Sequence, residues 1–341
     1  MATPKLSVIM SVHNGLPYVE EALASILSQT FTAYELIVVD DASTDGSAEF
    51  LAACRDERLR LVTNEHNLGL TKSLNKALDL AQGEYVARMD HDDVSLSSRL
   101  TAQVAFLDAN PGIDVLGTWA RTVGRRPEQT WRYPLADAEI RCELLFNSVL
   151  VHSSVMWRRQ RFEELGLRYD PAVNRAQDYE LWTRAANAVR FANLDQVLVE
   201  YRIHPQQVGQ TQGEEQAAVA KQVRRRQLEA LGLEPSDAEL ELHNRVSNWL
   251  LPDDEAGLRA LDVWLLKLVA ANEGKSIYPP GVFGRVLAKR WWAACRGAVG
   301  DGLDAWQLYR SSPLADLGQQ SWAKKASFRL QSWWALRGTR D

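Results

Sequence analysis

The first 110 residues alternate between short apolar runs and helix-spaced segments, and that alternation limits the fold more than any other feature of the chain. KLSVIMSV (5–12) is nearly continuous apolar sequence, as expected of a strand covered on both faces. YVEEALASILSQ (18–29) then takes up a helical period through Val19, Ala22, Leu23, Ile26 and Leu27. The pair recurs as ELIVVDD with DGSAEFLAA, LRLVT with TKSLNKALDLAQG, and EYVARMD with SSRLTAQVAFLDAN. Gly83 is expected to close the third helix in a left-handed cap, and Pro111 stands just past the fourth. Four such pairs predict an α/β fold with a mostly parallel sheet flanked by helices.

Parallel sheets bind ligands at the carboxyl ends of their strands. The stretches HNG, DDASTDG, NEHNLG and DHDD each follow a strand directly, so they are expected along one edge. The chain lacks GxGxxG, Walker A, GxSxG and HExxH patterns, which leaves an Asp-rich edge without the familiar phosphate or nucleophile motifs. In DHDD, Asp90 and Asp92 would lean the same way if the segment stays extended, and their oxygens suit Mg²⁺ or Mn²⁺ shared with substrate phosphates. The plainer alternative is a solvated loop in which Asp93 or Ser95 caps the next helix, with His91 serving the turn. Asp40 and Asp41 end a very apolar strand, where a carboxylate could accept hydrogen bonds from a nucleoside, while Asp45 and Ser47 suit a turn.

Two later residues offer chemistry. Asp178 heads the segment DYELWTRAA, where it is either a cap or a carboxylate placed to take a proton from an acceptor hydroxyl. His204, after EYRI and before Pro205, suits a metal or phosphate contact or a capped turn.

The middle of the chain is mixed, with strand character in IDVLGTWA, HSSVMW and LDQVLVEYRIH and helical character in ADAEIRCELLFN and AQDYELWTRAANA. From 214 onward the pattern is nearly all helical, over 214–231, 236–250 and 255–272. Two domains are therefore expected, 1–210 and a mainly helical 211–341. Cys54, Cys142 and Cys295 are odd in number and far apart, which fits a reducing compartment. The formal charge of −5 argues against a chain built around nucleic acid. With no signal-like start and no 18-residue apolar run, a cytoplasmic protein without a transmembrane helix is expected.

Taken as an ordered set, KLSVIMSVHNG, SILSQTFTAYELIVVDDASTDGS, NLGLTKSLNKAL, GEYVARMDHDDVS, RAQDYELWTR and YRIHPQQVG resemble a family 2 glycosyltransferase of the GT-A fold, over residues 5–208. The resemblance implies a Rossmann-like sheet and transfer of a sugar from a nucleotide-activated donor, UDP-linked by default, with inversion at the anomeric carbon. It places Val12, His13, Asn14 and Asp41 in the nucleoside pocket, with Lys72 and Asn75 beside it. Asp90 and Asp92 resemble the DxD motif, Asp92 as the direct ligand of Mg²⁺ or Mn²⁺ and Asp90 as a ribose or shared ligand. Asp178 resembles the catalytic base of an ED-type motif, although Gln177 stands where the family has an acid. His204 resembles a late histidine near the diphosphate and metal. The family's processive synthases carry QxxRW and membrane spans; here the nearest stretch is QVRRRQ, which favours transfer of a single sugar.

The acceptor implied is a glycan or lipid-linked glycan of the cell envelope. A nucleotidyltransferase would show a glycine- and basic-rich loop after the first strand, where SVHNGLPYVEE stands instead; a non-catalytic nucleotide-sugar-binding subunit is the other alternative. Residues 285–341 hold ten Lys and Arg against four Asp and Glu, and six of the twelve tryptophans. That mixture suits peripheral contact with the inner face of the plasma membrane or a dock for a lipid-linked acceptor, against packing within the domain or in a homo-oligomer.

Overall fold

The computed structural model describes residues 4–207, 213–300 and 303–338, so Val208, Gly209 and the expected boundary at 210 lie outside the described residues. The chain divides into two compact units, one of residues up to 140 with 148–220, the other of 141–147 with 221 onward. The second unit thus takes in a seven-residue segment from inside the span 1–210.

In the first unit, β1 (Leu6–Val12), β2 (Tyr34–Asp40), β3 (Leu59–Thr63) and β4 (Tyr85–Asp90) alternate with α1 (Tyr18–Leu27), α2 (Ser47–Ala53) and α3 (Leu70–Leu80). The strands lie in the order β3-β2-β1-β4, all parallel. Every residue of β1 is buried, which explains its nearly continuous apolar run. Register carries the strand ends to one edge: Val12 pairs with Asp40, Asp40 with Thr63, and Ser11 with Asp90.

Beyond β4 the sheet becomes mixed. After β5 (Val94–Ser95) and α4 (Arg99–Ala109) come β6 (Val115–Val123), β7 (Thr130–Trp131) and α5 (Asp137–Leu144). A 3₁₀ turn at His152–Ser154 leads into β8 (Met156–Arg158), α6 (Arg159–Glu164), α7 (Gln177–Ala185) and β9 (Phe191–Arg202). β8 inserts between β4 and β6, antiparallel to both. β9 lies parallel to β6 with register shifts at Thr118–Ala120, and antiparallel to β5. The apolar period shows that strands exist but not which neighbour each one takes, so the reversal at β8 has no signature in the sequence.

Gly83 does not act as the cap expected of it. The helix α3 closes at Ala81 in an extended conformation, and Gly83 is absent from the glycines of positive φ. Its value is the space it leaves: its N–H donates to Ser7 Oγ at 2.8 Å, and an added Cβ would fall 2.4 Å from Ser7 N and 2.6 Å from Leu6 C.

The second unit is built on α8 (Gly213–Ala230) from Lys221, α9 (Asp237–Ser247), α10 (Glu255–Lys275), α11 (Pro280–Gly297), α12 (Ala305–Ser311), α13 (Leu314–Leu317) and α14 (Trp322–Gly338). The α9 helix starts in a capping box, Ser236 with Glu239. Leu145 and Phe146 belong to this core, where Glu143 accepts from Arg290 at 2.6 Å and the Arg290 guanidinium lies 3.6 Å from the Phe146 ring centre. Trp291 and Trp264 are likewise core residues. No helix among the described residues is long and apolar enough to cross a membrane.

Because the atoms a Gly83 side chain would meet are backbone, Gly83→Ala should cost about 1–3 kcal/mol. The expected result is a lower urea midpoint with an unchanged slope. A midpoint equal to the parent's would mean that β1 yields at no cost.

Candidate active site

The strand ends gather the acidic residues at one edge. One carboxylate oxygen from each of Asp90, Asp92 and Asp93 can be chosen so that all lie within 4.8 Å of one another. Three like charges so close require a counter-cation, and the chain supplies one from below. Arg88 stands two residues before Asp90 on β4, and its buried guanidinium is ion-paired with the Asp90 carboxylate. Burial pulls the Arg88 pKa down, and the opposing charges that support its ionised form are those of Tyr169, Asp93, Asp92 and Asp178.

Asp92 and Asp93 turn in different directions. Asp92 Oδ2 lies 3.1 Å from His204 Nε2, and the His204 ring packs on Tyr18 with centroids 4.4 Å apart. Asp93 does not cap α4, as one reading of the sequence had it; Ser98 holds that position. Its buried carboxylate accepts the Arg202 backbone N–H at 2.8 Å, tying the acidic loop to the end of β9. Arg202 completes the tie by donating from Nε to the Asp92 carbonyl at 2.9 Å. Burial and then the charge of Asp92 drive the Asp93 carboxyl well above the ordinary carboxylate range. His91 serves the turn, its Nδ1 lying 3.2 Å from the Ser11 carbonyl oxygen.

The fit to a divalent ion is good on chemical grounds. The cluster offers carboxylate oxygens, the donors that Mg²⁺ and Mn²⁺ favour. Two buried polar atoms, Asp93 Oδ2 in the cluster and Nδ1 of the neighbouring His204, have no hydrogen-bond partner.

Along the same edge, Asp41 organises the loop after β3. Its Oδ1 accepts from Asn64 Nδ2 at 2.7 Å and Leu68 N at 2.8 Å, and its Oδ2 accepts from Gly69 N at 2.8 Å. Burial would raise this carboxyl, but the bonds from Leu68, Asn64 and Gly69 outweigh it and hold the pKa below the usual value. Val12 is buried, His13 Nδ1 lies 2.9 Å from the Asp41 carbonyl oxygen, and Asn14 Oδ1 accepts from Thr44 N at 2.8 Å. Lys72 is exposed. Asn75 has both ends of its amide engaged by the backbone of Tyr169, through bonds of 2.8 and 3.2 Å.

Asp178 is half-buried in the first turn of α7, behind Ala176, which caps the helix in the left-handed region at φ 49°. Asn14 and Ala42 take the same unusual backbone beside other candidate residues. Such strain in non-glycine residues is typical of functional edges. Burial raises the Asp178 carboxyl, opposed by the Tyr179 N–H and by the charge of Arg88. Its own charge is felt in turn by the phenols of Tyr133, Tyr169 and Tyr201. Tyr169 is also bonded to His152, with Oη to Nε2 at 2.8 Å.

Sequence reasoning passed over Arg88, Arg202 and the tyrosines around Asp178. One signal was present: Arg88 is a lone charge inside the apolar strand YVARMD, in phase with Asp90.

Comparison with known proteins places this geometry. The sequence profile of Glycosyl transferase family 2 matches residues 7–166. An uncharacterized glycosyltransferase of Haemophilus influenzae is 30% identical over 234 residues, 65% of this chain and 72% of the relative. The chain belongs to glycosyl transferase family 2. A second glycosyltransferase similar to it, the O-antigen biosynthesis enzyme WbnJ of Escherichia coli, is 32% identical over 210 residues, covering 58% of this chain and 80% of WbnJ. Among solved structures, S. aureus TarS 1-349 in complex with UDP-GlcNAc aligns with a TM-score of 0.58 at 21% identity over 90% of each chain, a likeness of fold. As a family 2 glycosyltransferase the protein is an inverting enzyme that uses nucleotide-sugar donors, and its α/β sheet with a helical carboxyl-terminal extension is the GT-A arrangement.

Asp41→Asn would turn an acceptor oxygen into a donor that faces other donors, at a cost of about 1–3 kcal/mol. Because the folded-state pKa lies below the unfolded one, the carboxylate's stabilisation is full above about pH 4 and is lost as pH falls through the lower folded value. Acid unfolding of the parent should therefore contain a component that Asp41→Asn lacks. Equal acid dependence of the two proteins would contradict the assignment.

Proposed function

We propose that this glycosyltransferase moves a single sugar from a nucleotide-diphosphate sugar, UDP-linked by the family resemblance, to a hydroxyl of a glycan or lipid-linked glycan, with Asp178 as the base. The observation that carries the reading is the half-buried Asp178 at the start of α7, raised by burial and coupled through Arg88 to the acidic cluster. The relative named for O-antigen biosynthesis points to a cell-envelope glycan as acceptor.

The Asp178 carboxylate takes the acceptor proton as the acceptor oxygen attacks the anomeric carbon. The bond from that carbon to the diphosphate oxygen breaks on the opposite face, and its electron pair leaves with the nucleoside diphosphate, which inverts the centre. A raised pKa makes Asp178 a stronger base than a free carboxylate. Val12, His13, Asn14 and Asp41 frame the nucleoside, with Lys72 and Asn75 at its margin. Asp92, Asp90 and His204 would hold a Mg²⁺ or Mn²⁺ ion, which would supply positive charge against the diphosphate. Asp93 and Arg202 fix that loop on β9, so the ligands are placed before donor arrives. We place the enzyme in the cytoplasm, with peripheral membrane contact through residues 285–341.

The roles separate by measurement. Asp178→Asn should lower kcat by a factor of roughly 100 to 10,000 while calorimetric donor affinity stays within a few fold. Asp92→Asn should instead weaken donor binding in the presence of Mn²⁺; full Mn²⁺-stimulated turnover in that variant would defeat the ligand assignment.

The pH profile gives a further check. The base works only when ionised, so kcat should fall toward acid with an inflection above the free carboxylate value of about 3.9. Near-normal turnover of Asp178→Asn, or an unchanged acid limb in it, would remove Asp178 from the role.

A further inference from the structure

We infer that α14 lies in the headgroup layer of an anionic bilayer, outward face down; this makes specific the membrane contact proposed above and rests on it. The helix is held to the second unit by a stripe four residues apart. Phe328 is fully buried against Trp292, Trp306 and Tyr309, with ring centres 5.2, 5.5 and 5.7 Å away. Ser332 Oγ, also buried, accepts the Trp306 backbone N–H at 3.2 Å. The inner face is thereby used.

At 100° per residue, Leu330 falls opposite this stripe, with Trp333 and Trp334 on either side of it and Trp322 on the flank. In an ordinary surface helix that face would be polar. Here Trp322 is 82% exposed, Trp334 64%, Leu330 61% and Trp333 44%. Such a concentration of exposed large apolar side chains in four turns marks an interaction surface.

Charge selects the occupant. Trp322–Gly338 contains four Lys and Arg and no Asp or Glu, in a chain whose formal charge is −5. Lys324 and Arg329 are exposed, and Lys325 is half-buried. Tryptophans with interspersed basic groups match the boundary between headgroups and acyl chains, where indoles are wedged and cations meet lipid phosphates. A cavity of about 510 Å³ along the flank of this helix, lined by Trp306, Lys325, Ala326, Arg329, Leu330 and Trp333, sets two cations beside apolar side chains that an acyl segment could meet. A second copy of the chain would bring the same positive helix against itself, which is unfavourable unless acidic groups from elsewhere cover it.

The test uses the full chain, sedimented with vesicles of phosphatidylcholine alone or mixed with phosphatidylglycerol. Binding is expected to the mixed vesicles and to weaken with salt. The combined Lys324→Gln, Lys325→Gln and Arg329→Gln variant should bind about a hundredfold more weakly, at about a fivefold loss per basic group. Trp322→Ser with Trp334→Ser, the two most exposed tryptophans of the helix, should also lose binding while the helical circular dichroism is retained. Equal binding to neutral vesicles, no binding, or binding unaffected by either variant overturns the inference. So does a Trp322- and Trp334-dependent dimer that ignores vesicles. Donor calorimetry without vesicles reports separately on the nucleotide-sugar reading, so each can fail alone.

Discussion

The ion pair between Arg88 and Asp90 is the interaction on which the edge of the sheet depends. An unpaired arginine beneath the sheet edge would cost several kcal/mol, and three carboxylates within a few ångströms would repel without it. Each problem is the solution of the other. The same guanidinium sits in the field of Asp92, Asp93 and Asp178, so a single strand residue sets the electrostatic background for both the proposed ion site and the proposed base. Removing it would leave acids that relieve their repulsion by taking up protons, and protonated acids neither bind cations nor accept a proton from a hydroxyl.

Around this centre, the loops are secured by side chains that accept from backbone N–H groups. Asp41 gathers Leu68 and Gly69, Asp93 gathers Arg202, and Ser47 Oγ gathers Gly15 at 2.9 Å and Leu16 at 3.2 Å. Loops at the carboxyl ends of parallel strands have no ladder to hold them, so their backbone groups need such partners. The polar richness of this edge therefore has two sources. Some acids gather in the cluster of Asp90, Asp92 and Asp93; Asp41 and Asp93 also hold backbone N–H groups.

The parallel half of the fold was readable because its signal is physical and local. Strands covered on both faces must be largely apolar and the helices on their flanks must keep a 3.6 period, which β1, β2 and β4 follow; the edge strand β3, LRLVT, is only partly buried and shows the pattern less fully. The pairing of β8 and the recruitment of residues 141–147 to the second unit were not readable, because they depend on contacts between distant segments. Within the site, the acids were visible as clusters, but which of them tie down backbone was not: Asp93 looked like a helix cap, and it accepts the Arg202 backbone N–H instead. The three tyrosines around Asp178, Tyr133, Tyr169 and Tyr201, come from three separate segments, which no spacing rule would join. Among the aromatic residues of the carboxyl-terminal third, sequence showed their density; only packing separates Trp291 and Trp292, which are inside, from Trp322 and Trp334, which are not.

A base at a partly desolvated position must satisfy two opposed demands. Burial strengthens a carboxylate as a base, yet carried too far it leaves the group protonated and useless near neutral pH. At Asp178 named groups act in both directions: burial pushes the carboxyl up, while the Tyr179 N–H at the start of α7 and the charge of Arg88 pull it back. Because Arg88 is paired directly with Asp90 rather than with Asp178, its effect on the proposed base is a moderating field and not a salt bridge. The arrangement also predicts a direction of coupling. Any cation held at the acidic cluster adds positive charge to the same neighbourhood, and so favours the ionised form of Asp178 at the moment the donor is bound.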